Sequence, residues 1–150
     1  MPTAHSKPAF PILFLTIFIY YIDLASMKIN KLPITINKKR KDLTLDYIRN
    51  HYDPRAKSIQ IMPKIIIIHW AGGRSKNIKT LFEIINPVKI SANRSIAKNN
   101  PLNISAHFGI GRQGDIHQFM PETMMARHAA GLNNSSIGIE NIGNDDRPLT

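Results

Sequence analysis

The chain has 150 residues, enough for one domain and one core, and its hydrophobic content of 43% is ordinary for a globular protein. A formal net charge of +10 favours an anionic partner: nucleic acid, anionic lipid or an acidic wall polymer. The absence of cysteine excludes disulfides and cysteine-type zinc sites.

Residues 1–27 read as a targeting segment. Phe10 to Ile22 is an apolar run with the length of a signal-peptide core, short for a membrane span. Lys7 precedes it, and Ala25 and Ser26 are small residues at a plausible cleavage point. Asp23 and the basic stretch that follows resist export. Export by a signal peptide is still the expectation, with an uncleaved amino-terminal anchor or a buried core segment as rival readings.

Residues 28–60 read as a basic amino-terminal extension, with Lys38-Lys39-Arg40-Lys41 as a solvated face. No aromatic residues interleave with that run, so a stacking surface for single-stranded nucleic acid is not expected. Within the extension, Lys41 to His51 has Leu43, Tyr47 and Ile48 at helical spacing, and Asp53-Pro54 ends the pattern.

Pro63 opens Lys64 to Trp70. Four consecutive isoleucines predict a strand buried on both faces. Ala71-Gly72-Gly73 turns the chain. Asn77 to Ile85 predicts a short helix with Ile78, Leu81, Phe82 and Ile85 as its apolar stripe. Residues 86–102 read as loop. Ile104 to Ile110 and Ile116 to Met120 flank Gly111-Arg112-Gln113-Gly114-Asp115 and predict a hairpin. Ala126 to Leu132 reads as a rim loop, and Ser136 to Ile142 as a further strand. This order predicts an α/β or α+β domain, a mixed sheet with helices packed on it.

Chemistry concentrates at strand ends. His69 closes the isoleucine strand, where a neutral imidazole suits a divalent metal or a hydrogen bond at a strand end. Alternation places Gly138 and Glu140 on one face of the last strand, with Ile137 and Ile139 on the other. The glycine leaves space beside the carboxylate. A carboxylate in a partly dry cleft gains proton affinity and suits a general base, and a strand-end acid paired with lysine is the plainer reading. His107 and His128 complete a set of three histidines whose types allow zinc ligation, although their spacings match no local metal motif. His117 reads as structural, and His5 and His51 fall outside the site.

Ile65 to Gly73, Ser105 to Ala130 and Ser136 to Gly143 together resemble the zinc-dependent N-acetylmuramoyl-L-alanine amidase domain, shared by wall-recycling amidases, phage amidases and peptidoglycan recognition proteins. The strings Ser-Ala-His-Phe, Arg-Xaa-Gly-Asp-Ile, Met-Pro-Glu-Thr, Ala-Arg-His and Ser-Ile-Gly-Ile-Glu-Asn occur in the family's order over about residues 60 to 150, so the domain is assigned to 61–150. The resemblance implies a central mixed sheet flanked by helices, with zinc in a groove on one side. It implies cleavage of the amide between N-acetylmuramic acid and L-alanine of the stem peptide by zinc-activated water. Carried over, His69 matches the first zinc ligand and Glu140 the catalytic glutamate. Ala106, where other branches place tyrosine, sets the chain nearer the glutamate-using branch. His107 and His128 match groove histidines that are not metal ligands and are assigned to substrate.

The family's remaining zinc ligands and an oxyanion-stabilising lysine lie late in the domain. The sequence has no histidine beyond His128, so the domain is expected to be incomplete at its carboxyl end. The alternative reading is a non-catalytic peptidoglycan-binding module or an inactive fragment. The expected partner is peptidoglycan or its muropeptides, not nucleic acid, with no stable membrane partner beyond an amino-terminal anchor. A monomer in the periplasm or cell envelope is expected.

Overall fold

A computed structural model describes residues 27–71, 78–84 and 101–143. The targeting segment, the glycine turn after Trp70, the loop at 86–100 and the tail from 144 lie outside the described residues. No helix among the described residues is long and apolar enough to cross a membrane.

The elements run β1 (Ile29–Lys31), α1 (Lys38–His51), β2 (Ile65–Trp70), α2 (Ile78–Glu83), β3 (Phe108–Ile110), β4 (Ile116–Gln118) and β5 (Ser136–Asn141). The strands form one five-stranded sheet in the order β1-β4-β3-β5-β2. Only β3 and β4 pair antiparallel, and the other three pairings are parallel. The fold is thus a mixed sheet with helices, as the element order predicts. The hairpin forms between β3 and β4, its turn tightened by Gly114 at φ +79°.

The segment read as an extension supplies both β1 and α1. Asn37 caps α1 by accepting the Arg40 N–H at 3.0 Å, which starts the helix three residues before the apolar pattern does. Tyr47 and Ile48 are buried with Leu102 and Met125 in one core cluster. A second cluster joins Ile34, Ile78, Phe82, Ala106, Phe119, Met120, Met124 and Ala126. Phe82 of α2 meets Phe119 edge-on at 5.8 Å between ring centroids.

Two expectations change. The basic run is a solvated face at Lys38, Lys39 and Lys41, but Arg40 is 1% exposed. Its guanidinium donates to the backbone carbonyls of Thr35 at 2.7 Å, Phe82 at 2.7 Å and Glu83 at 3.1 Å. One cation therefore holds the carboxyl end of α2, where unpaired carbonyls accumulate negative charge. Burial pushes the Arg40 proton affinity down, and nearby Glu83 opposes that.

The isoleucine strand is not buried on both faces. β2 is an edge strand, and Ile66 and Ile68 remain 62% and 69% exposed. The opposite row, Ile67 and His69, is half-buried. β-branching fixes the strand conformation, but burial depends on what packs over each face, which a homogeneous isoleucine run does not encode.

Candidate functional site

Parallel pairing of β2 with β5 sets Ile67 beside Gly138 and His69 beside Glu140. Residues paired this way project from the same face of a sheet, with their strands about 4.8 Å apart. The imidazole and the carboxylate thus stand next to each other on one face. Gly109 of β3 continues the row beyond Glu140, and His117 of β4 follows it.

Glu140 is half-buried, and burial raises its proton affinity above the ordinary carboxylate range. Such a group holds a proton more readily than a surface acid and is suited to taking and returning one.

His128 enters from the loop between β4 and β5 and lies over Gly138. A Cβ added at Gly138 would stand 2.6 Å from Cγ of His128 and 2.7 Å from its Nδ1. Glycine at this position is therefore a cradle for the ring. Asn133, fully buried, clamps the loop: its Oδ1 accepts the backbone N–H groups of His128 at 2.8 Å and Ala129 at 2.7 Å. Its Nδ2 donates to the Tyr47 hydroxyl of α1 at 3.3 Å. Arg127, the next residue back, sits over the Tyr47 ring at 5.2 Å and donates to the Leu102 carbonyl.

The three sequence-predicted histidines do come together. His69 Nε2 and His128 Nδ1 are 2.9 Å apart, and the rings meet edge-on. His107 and His128 rings are also edge-on, with centroids 5.9 Å apart. Burial lowers the proton affinity of all three, and burial with two imidazole neighbours takes His128 down to about 4. All three rings are therefore neutral at pH 7.

His107 and His128, read as substrate-facing, are both engaged inside the protein. His107 is fully buried. Its Nδ1 accepts the Gly138 N–H at 3.0 Å, so its Nε2–H donates to the Met124 carbonyl at 2.9 Å. Both nitrogens are spent on backbone, leaving none for substrate. His128 is likewise committed, to His69 and to Ser136 Oγ at 3.3 Å. Three imidazoles that bond to one another and to backbone do not converge on a common point. Among the described residues no group of three histidine, aspartate or glutamate side chains is placed to hold a metal ion. His117 has a local partner, Asp115 Oδ2, at 2.5 Å.

Sequence reasoning missed Asn133, Ser136 and Arg40. Ser136 had a signal, since alternation puts it on the face of Gly138 and Glu140. Asn133 and Arg40 had none, because the contacts that seat them, the Tyr47 hydroxyl for Asn133 and the α2 carbonyls for Arg40, are distant in sequence.

The family model for N-acetylmuramoyl-L-alanine amidase matches residues 59–150. The chain belongs to this amidase family. No curated protein matches the chain. Among solved structures, the N-acetylmuramoyl-L-alanine amidase LysC from Clostridium intestinale URNW is 22% identical with a TM-score of 0.48, covering 78% of this chain and 60% of its own. A mutant endolysin from Bacillus subtilis is 20% identical with a TM-score of 0.43, covering 81% and 64% respectively. The chain thus spans about 60% of the length of these two structures.

Proposed function

We propose that the chain acts on peptidoglycan as an amidase, hydrolysing the amide between N-acetylmuramic acid and L-alanine of the stem peptide. The observation that carries this reading is the register of β2 with β5, which sets His69 beside Glu140 on one face of the sheet in a member of the amidase family. Glu140 takes a proton from water as the oxygen adds to the scissile carbonyl carbon. The same carboxyl then delivers that proton to the departing nitrogen as the carbon–nitrogen bond breaks. Desolvation equips it for both transfers, since the protonated form is stabilised between them. The basic surface of Lys38, Lys39 and Lys41 favours residence on an anionic wall polymer. The apolar run at Phe10 to Ile22 supports placing the chain in the envelope.

The resemblance also implies zinc. His69 is a suitable ligand, but catalytic zinc needs three protein ligands and a water. His107 and His128 have their nitrogens engaged, and no second ligand set converges among the described residues. The described residues do not make a complete zinc site.

Digestion of purified sacculi by the 150-residue chain, with zinc supplied, tests the proposal. Release of free stem peptides with L-alanine at the amino end is expected. Co-sedimentation with sacculi and no release would replace it with the wall-binding reading.

A further inference from the structure

His69 has two ring nitrogens, and which one carries the proton decides what it can do. The answer lies three hydrogen bonds away. The Leu132 carbonyl can only accept, and Ser136 Oγ sits 2.7 Å from it. The single hydroxyl proton of Ser136 is thereby committed to Leu132. Toward His128 Nε2, at 3.3 Å, Ser136 Oγ must then accept, so the His128 proton is on Nε2. A neutral ring protonated there has a bare Nδ1, and that atom lies 2.9 Å from His69 Nε2. His69 must donate, which puts its proton on Nε2 and leaves Nδ1 bare.

We propose that His128 and Ser136 are positioning residues that lock His69 in the tautomer with Nε2 protonated and Nδ1 as its one lone pair. Nδ1 is then the atom with which His69 accepts a hydrogen bond or a proton. The role of that lone pair in the reaction rests on the amidase reading, but the tautomer itself does not. The lock is well supported. The His128 ring has no room to shift toward the sheet, because it already occupies the space of the missing Gly138 side chain. Its backbone is held by buried Asn133, which is tied in turn to α1 through Tyr47. A chain of oriented partners that fixes ring orientation and proton position is a recurrent way to prepare a histidine for use.

The ¹⁵N-labelled 150-residue chain reports this directly by NMR of its imidazole nitrogens at pH 7. The expected spectrum shows His69 protonated on Nε2, bare on Nδ1, with a nitrogen–nitrogen coupling across the hydrogen bond to His128 Nδ1. Ser136→Ala removes the far anchor, and loss of that coupling is expected. In His128→Ala, His69 should show the averaged shifts of an imidazole exchanging between tautomers. His128→Asn keeps an oxygen acceptor near the Nδ1 position and should restore the single tautomer. A structural role alone would not separate the asparagine variant from the alanine one. A wild-type His69 protonated on Nδ1, or an unchanged single tautomer in His128→Ala, would overturn the proposal. Because the readout is spectroscopic, a chain that fails to digest sacculi but shows the coupling defeats only the amidase reading.

Discussion

Replacing Gly138 with alanine should uncouple the histidine pair at a measurable cost in stability. The new methyl carbon would stand 2.6 Å from Cγ, 2.7 Å from Nδ1 and 2.9 Å from Cδ2 of His128. Gly138 does not have a positive φ, so the backbone itself accepts alanine and the effect is purely steric. The ring is hemmed by His69, His107 and Ser136, and must be pushed out of its seat. Overpacking of this kind costs about 1–3 kcal/mol. Losing the bond to His69 adds about 1 kcal/mol. A total of about 2–4 kcal/mol follows, a large part of a typical stability of about 5–15 kcal/mol. Urea unfolding of the wild type, Gly138→Ala, His128→Ala and the double variant measures it as a cycle. With the ring removed, the methyl group has space and there is no bond to His69 to lose, so Gly138→Ala should cost about 2–4 kcal/mol less in the His128→Ala background. An equal cost in both backgrounds would refute the idea that the glycine exists to seat the ring.

Three further outcomes follow from the same structure. Glu140 has a folded-state proton affinity raised by burial, so the folded chain holds that proton at pH values where the unfolded chain has released it. Stability from this group is present below the unfolded value and lost as pH rises through the folded one. Glu140→Gln should therefore raise the unfolding midpoint at pH 7 and leave it unchanged at pH 3 to 4. His128 works in the opposite sense. Its folded value of about 4 lies below the ordinary imidazole value of 6.5, so its contribution is present above pH 6.5 and lost as pH falls toward 4. Urea midpoints of the wild type should fall across that window by more than those of His128→Asn. Arg40→Ala should cost about 3–5 kcal/mol by urea unfolding, since it strips the buried carbonyl of Phe82 and the partly buried carbonyls of Thr35 and Glu83 of their donor. A loss below about 1 kcal/mol would show that these carbonyls find other donors.

The fold was legible where pattern and chemistry are local. Alternation in Ser136 to Asn141 placed Gly138 and Glu140 on one face, and the glycine turn at 111–115 announced the hairpin. Strand pairing was not legible. That β2 lies at the sheet edge, beside β5 and in register with it, depends on contacts between residues about 70 positions apart. Arg40 shows the same limit. Its neighbours in sequence are exposed lysines, and only the docking of α2 gives its guanidinium the carbonyls of Phe82 and Glu83. The candidate site was half legible. His69 and Glu140 ended apolar strands, which is visible in one dimension. What His107 and His128 bond to inside the protein was not legible, since their partners are backbone atoms, Ser136 and His69.

The proposed role of Glu140, set beside His69, is to transfer the proton in amide hydrolysis. Stem-peptide release from purified sacculi, compared between the wild type and Glu140→Gln with zinc supplied, tests that role. Release by the wild type and a loss of about 100-fold or more in Glu140→Gln, with sacculus binding retained, are expected. Equal release by both proteins would contradict the role.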